Sequence, residues 1–169
     1  AIKAIASLSD DFKDSVHLLI VGDGPQKNEL MKLTSQLGLS GSIHFVGSVT
    51  HNQMPRYLDS ADIVLCLQDY SNLSNTLLEA LARGKCIITL DDGSLDSFMG
   101  ERLNEIVALI DPANIDSELP GKIAKLLKEP SAIKRYENRA KEFAMGNLRT
   151  VQKRSQMELD FIRKVISEE

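Results

Sequence analysis

The sequence predicts an α/β fold in which helices flank both faces of a Rossmann-like parallel sheet. Short apolar runs alternate with amphipathic stretches along the chain. Two of these runs, at 62–67 and 85–90, show no polar alternation, which is typical of strands covered on both faces. The alternation also has the spacing of βαβ units, whose right-handed crossovers build a doubly wound sheet.

Five apolar runs are predicted to be the strands of this sheet. Each run is four to eight residues long, and turn-forming or polar residues bound it. The predicted strands cover residues 17–22, 43–47, 62–67, 85–90 and 104–111.

The predicted helices have one apolar face and identifiable ends. Gly38 and Gly84 are stop signals for two of them, and a cap is expected between Asn72 and Ser74. Pro55 suits the first turn of another, for which Thr50 and Asn52 are alternative caps. The chain opens in an apparent helix, and further helices cover about 25–38, 52–60, 74–84, 116–129, 131–145 and 149–167.

Length and composition indicate a single globular domain over residues 1–169, with the helices of about 116–167 included. Hydrophobic residues make up 43% and charged residues 26%, which is ordinary for a folded soluble protein. No apolar run approaches the roughly 20 residues of a membrane span, and no signal peptide is recognisable. Cys66 and Cys86 lie in apolar runs without metal-ligand spacing, so we expect buried, reduced thiols in a cytoplasmic protein.

Charge is distributed unevenly along the chain. Residues 1–121 carry a net charge of −9 and residues 122–169 a net charge of +5. The basic segment could contact an anionic membrane surface at the periphery, or it could form a solvated helical face. Few aromatic residues accompany the basic ones, so nucleic acid is not an expected partner.

Ligands bind outside the carboxyl ends of the strands in such sheets, which makes four loops candidate site segments. In the first loop, Gly22 and Gly24 permit a sharp turn and a close backbone approach, but the pattern is not a known phosphate fingerprint. In the second loop, a base could lie against Val49, while His51 is either functional or part of a cap region. The fourth loop, 91–97, contains three aspartates without the spacing of a cation-binding loop, so no metal site is predicted.

The third loop, residues 68–75, joins a buried strand to a helix N-terminus. Free N–H groups and the helix dipole make such an end attractive to anions, although ordinary capping explains the polar residues equally well. Glu79 lies about one turn into the helix, where a carboxylate is favourable without any function. With a nucleoside diphosphate at the helix tip, Glu79 could accept hydrogen bonds from ribose hydroxyls.

Four segments, in this order, resemble the C-terminal domain of retaining glycosyltransferases of the family 4, or group 1, type. They are LLIVGDGP, IHFVGSVTHNQMPRYLDSADIVLCL, SNLSNTLLEALARGKCIIT and, more loosely, AIKRYENRAKEF. The resemblance covers nearly the whole chain and implies that it is the C-terminal half of a GT-B fold. It also implies that the first strand, a basic pair that grips the diphosphate, and the N-terminal acceptor domain are absent from this sequence.

The resemblance implies a binding site for a UDP- or GDP-sugar, with no metal and no cofactor other than this substrate. It does not identify a catalytic residue. The implied donor-binding residues line the cleft, lie beside the base, face the diphosphate and sugar, or bind the ribose. In that order they are Gly22, Asp23 and Gly24; Ser48, Val49 and Thr50; Ser71, Asn72, Leu73, Ser74 and Asn75; and Glu79.

Two positions depart from the family pattern. Ser71 replaces a glutamate that normally contacts the donor sugar, and Ser97 lies at about the place of another glutamate. The expected function of the parent protein is retaining transfer of a hexose-type sugar to a glycan or lipid acceptor. The alternatives are a degenerate module that binds a nucleotide or a partner, and a nucleotide-sugar epimerase. We expect the isolated chain to be inactive as an enzyme, because a cleft needs both walls.

Overall fold

The computed structural model describes residues 1–9, 12, 15–68 and 73–148. In these parts of the chain, parallel strands alternate with helices, which confirms the predicted α/β class. The strands are β1 (Leu18–Val21), β2 (Ile43–Gly47), β3 (Ile63–Cys66), β4 (Cys86–Leu90) and β5 (Ala108–Ile110).

The helices connect these strands and then continue beyond β5. Two short 3₁₀ helices, Gly100–Arg102 and Pro112–Asn114, lie among them. The α-helices are α1 (Ile2–Ala6), α2 (Lys27–Gln36), α3 (Met54–Ser60), α4 (Asn75–Ala82), α5 (Asp96–Met99), α6 (Leu103–Ile106), α7 (Ile115–Lys128) and α8 (Pro130–Asn147).

The strands are divided between two sheets. β1 pairs with β2, whereas β3, β4 and β5 pair in that order. Among the described residues, β1 and β3 are not hydrogen-bonded to each other, although apolar side chains of both pack against the same core. The division separates the pair β1–β2 from the group β3–β4–β5. In a doubly wound sheet, the strand order reverses at such a point.

Two apolar cores lie on opposite faces of β4. All five residues of this strand are buried, and Cys86, Ile88 and Leu90 join the core formed with α1 and α7. Ile87 points the other way and joins the core formed with α4 and α6. Successive side chains of a strand alternate between faces, so coverage on both sides explains why the sequence of β4 shows no polar alternation.

The two cysteines are buried, as predicted. Burial raises the pKa of the Cys66 and Cys86 thiols to about 12, so both stay protonated at neutral pH. Protonated thiols are poor nucleophiles and poor metal ligands, which assigns these residues to packing.

Part of the predicted strand 104–111 is wrong. Residues up to Ile106 form the helix α6, and only Ala108–Ile110 form a strand. A short apolar run without clear periodicity does not distinguish a strand from a buried helical turn. The segment predicted as a loop at 91–97 also ends inside a helix, because Ser97 belongs to α5.

The predicted cap of α3 is also wrong. Gln53, rather than Thr50 or Asn52, occupies the N-cap position, and no side chain accepts a capping hydrogen bond there. The amide oxygen of Gln53 instead accepts bonds from the N–H and the hydroxyl of Thr50. The helices predicted at 116–129 and 131–145 correspond to α7 and α8, and the one predicted at 149–167 lies outside the described residues.

Replacing Gly84 with alanine is expected to destabilise the fold by about 2 kcal/mol, against about 1 kcal/mol for Gly38→Ala. Both glycines follow helices with positive φ, +62° and +70°. A Cβ at Gly84 would lie 3.2 Å from the Glu137 carbonyl oxygen and 3.1 Å from the Lys141 Cβ, whereas one at Gly38 meets nothing within 4 Å. Urea unfolding measures the decrease in the free energy of unfolding for both variants. Equal decreases would show that α8 moves away from the added Cβ without destabilising the fold.

Candidate functional site

The loops that follow β1 and β2 leave the sheet side by side. The Gly22 N–H donates a hydrogen bond of 2.8 Å to the Gly47 carbonyl, which forms an isolated antiparallel bridge just beyond the parallel pairing of the two strands. Gly22 has a φ of +126°, a conformation that strains any residue with a Cβ. The sharp turn predicted from the glycines of this loop is therefore present at Gly22.

Asp23 and Lys27 fix the next part of the first loop. The Asp23 carboxylate accepts hydrogen bonds from Lys27 Nζ and from the Gly24 N–H, both at 3.0 Å. These two donors, the lysine above all, lower the pKa of Asp23 and keep its carboxylate ionised. Lys27 Nζ also lies close to Gly47, since a Cβ on that glycine would be 3.8 Å away.

Lys27 is not among the site residues predicted from the sequence. The available signal was its opposite charge four residues after Asp23, close enough in sequence for the two side chains to pair across the turn that precedes α2. That signal is common on solvated helix surfaces, so it does not by itself indicate a binding residue. The Lys27 ammonium group thus lies near Gly47 of the neighbouring strand, between two of the candidate loops.

The second loop reaches across to α4. Ser48 is exposed and Val49 half-buried at its start, and the bonds between Thr50 and Gln53 close it into a compact turn. Within that turn, His51 Nδ1 lies 3.6 Å from Glu79 Oε1. The loop after β2 and the helix after β3 therefore meet at the predicted ribose-binding glutamate.

The N-terminus of α4 is held firmly in place. The Ser74 hydroxyl accepts a hydrogen bond of 3.3 Å from the Leu77 N–H, which confirms the predicted cap. Leu77 is fully buried against the sheet, while Leu73 is 38% exposed just before the helix. The first N–H groups of an α-helix have no acceptor within it, so those of Asn75 and its neighbours are oriented to receive an anion.

Ser71 and Asn72, two of the predicted site residues, lie outside the described residues. In the fourth loop, the Asp92 carboxylate accepts bonds from the N–H and the hydroxyl of Ser94. Throughout the described parts of the chain, no group of three or more histidine, cysteine, aspartate or glutamate side chains is arranged to hold a metal ion.

The structure thus brings the first two candidate loops and the helix α4 together at one edge. The Gly22–Gly47 hydrogen bond joins the first two, and the His51–Glu79 contact joins the second to α4. This edge combines a helix N-terminus, one lysine ammonium group and a carboxylate within one turn of that helix. Such a set suits a ligand that carries both an anionic group and hydroxyl groups.

Comparison with known proteins identifies the family. The family described as glycosyl transferases group 1 matches residues 1–143. The 2-deoxystreptamine glucosyltransferase of Streptomyces kanamyceticus is 25% identical over 133 residues, which are 79% of this chain and 33% of that protein. The chain spans about a third of the length of the curated relatives it matches.

Solved structures share the fold. HepE of Anabaena, in complex with UDP-glucose, matches with a TM-score of 0.78 at 20% identity, over 96% of this chain and 44% of its own. The C-terminal domain of a group 1 family glycosyltransferase from Francisella tularensis matches with a TM-score of 0.69 at 19% identity, over 86% and 75%. The predicted C-terminal domain of a GT-B glycosyltransferase is confirmed as the fold, and the chain belongs to the group 1 glycosyltransferases.

Proposed function

We propose that this chain is the donor-binding domain of a glycosyltransferase and that its carboxyl edge binds a nucleoside diphosphate sugar. The observation that carries the proposal is the placement of Glu79. Its carboxylate lies one turn from the N-terminus of α4 and contacts the loop after β2 through His51. A diphosphate at the helix tip and a ribose at Glu79 would occupy adjoining places on this edge. The UDP-glucose complex of HepE, which shares the fold, supports the same ligand class.

Each predicted residue then has a proposed role. Val49 packs against the base, and backbone groups of Ser48 and Thr50 form hydrogen bonds with the polar edge of the base. The N–H groups of Leu73, Ser74 and Asn75 face the diphosphate and sugar, and the sequence assigns the same role to Ser71 and Asn72. Gly22, Asp23 and Gly24 line the side of the donor cleft that faces the N-terminus of α4. Lys27 adds a positive charge near the phosphates on that side.

The proposed reaction is transfer of a hexose-type sugar, with retention, to a glycan or lipid acceptor. Negative charge builds up on the departing diphosphate, and N–H groups already held in place by the fold stabilise that charge without reorganising. The Ser74 cap and the buried Leu77 hold the donors at α4 in this way. The acceptor would bind to a wall formed by another domain of the intact protein, and no metal ion is required.

The base and the diphosphate are tested by calorimetric titration of the protein with UDP, GDP, ADP and UMP. We expect either UDP or GDP to bind, and a monophosphate to bind about tenfold more weakly, because it brings less charge to the helix N-terminus. No binding of any diphosphate would remove the donor-binding role. In the intact protein, which would supply the acceptor wall, a product transferred from the matching nucleotide sugar would also exclude binding without transfer, the alternative that Ser71 raises.

A further inference from the structure

Two histidines lie in contact at the end of the β1–β2 sheet opposite to the candidate site. His17 immediately precedes β1, and His44 is the second residue of β2. Leu19 pairs with His44, so His17, two residues before Leu19, lies on the same face of the sheet as His44. Both side chains are exposed, and no role in nucleotide binding is assigned to either.

The two imidazole rings approach through their nitrogens. His17 Nδ1 and His44 Nε2 are 3.1 Å apart. The rings are not stacked, since their centroids are 5.3 Å apart and their planes are inclined by 33°. The strand backbone beneath them is fixed by the sheet, including a bond of 2.8 Å from the Leu18 N–H to the Ser42 carbonyl. The backbone next to His17 and at His44 is therefore held by the sheet, which keeps the two side chains within reach of each other.

We propose that His17 and His44 form a binding site for a divalent transition-metal ion, such as Cu²⁺, Ni²⁺ or Zn²⁺. Metal–nitrogen bonds of about 2.0–2.1 Å with angles of about 90–110° place two ligand nitrogens roughly 2.9–3.4 Å apart. The observed 3.1 Å lies within that interval. An ion could thus replace the direct nitrogen–nitrogen contact with little movement of the strands, and water would complete its coordination.

The ligand chemistry also decides which ions bind. Neutral imidazole suits copper, nickel and zinc, whereas magnesium and calcium require oxygen ligands. For a given set of ligands the affinity rises from nickel to copper. Only the neutral imidazole ring binds a metal, so binding is measured at pH 7.5.

The test is calorimetric titration of the chain with NiCl₂ and with CuCl₂ at pH 7.5 in a buffer that does not bind metals. We expect one ion per chain, with copper bound more tightly than nickel. His17→Ala and His44→Ala should each weaken binding by about tenfold or more, because a chelate loses its second, preorganised ligand. His51 is the only other histidine of the sequence, so His51→Ala is the matched control and should bind as the unaltered chain does.

A second readout separates a chelate from loose binding at single histidines. The two ligands come together only in the folded chain, so nickel should raise the unfolding temperature of the unaltered chain and not that of His17→Ala. Both histidines are exposed, and equal unfolding temperatures without metal would show that the variants fold. Equal metal affinity in the unaltered chain and in His17→Ala would overturn the proposal and leave a simple hydrogen bond between the rings.

Discussion

Replacing Glu79 with alanine is expected to weaken binding of the nucleoside diphosphate by about tenfold to a hundredfold. The carboxylate would accept hydrogen bonds from the ribose, and hydrogen bonds to a charged group contribute about 1.5–3 kcal/mol. Each 1.4 kcal/mol corresponds to a factor of about ten in the dissociation constant. The measurement is calorimetric titration of the unaltered protein and the variant with the diphosphate that binds best.

The matched control for this variant is Glu118→Ala. Glu118 lies in the first turn of α7, which follows β5, and its side chain is half-buried in a setting similar to that of Glu79. Its removal changes the net charge equally, and Glu118 belongs to none of the candidate loops, so the affinity should stay the same. Equal losses in the two variants would indicate a general effect of charge, and an unchanged affinity in Glu79→Ala would end the ribose assignment.

The sequence predicts elements well where several local signals coincide. For α4, the Ser74 cap, an apolar face and Gly84 at the end all indicate one helix, and the structure has it at Asn75–Ala82. For β4, an uninterrupted apolar run matches a strand buried on both faces. The segment 104–111 lacks such agreement, and the apolar pattern misassigns its first half because a short buried helical turn looks the same.

The candidate site is predictable only as a set of loops. The rule that ligands bind at the carboxyl ends of parallel strands selects them from the sequence. How the loops meet depends on tertiary contacts, such as that of His51 with Glu79, 28 residues later in the chain. The proximity of His17 and His44 is not predictable from the sequence for the same reason. They are 27 residues apart, and only the strand register brings them together.

Replacing Leu77 with alanine is expected to lower the free energy of unfolding by about 3 kcal/mol. The Leu77 side chain is fully buried between α4 and the sheet, and truncation of such a leucine loses both the buried apolar atoms and the contacts around the cavity left behind. Leu37→Ala is the matched control. This leucine is 41% exposed, so its loss should change stability by about 0.5 kcal/mol or less. Urea unfolding gives both values.

The effect of Leu77→Ala should extend to ligand binding, because the same helix carries the Ser74 cap and Glu79. If packing of Leu77 holds the N-terminus of α4 in the orientation that receives the diphosphate, the variant should bind the nucleotide more weakly even where it is fully folded. Leu37→Ala should keep the affinity of the unaltered protein. A destabilised Leu77→Ala protein with full affinity would show that α4 keeps its orientation without this side chain, and would place the preorganisation of the site in the Ser74 cap instead.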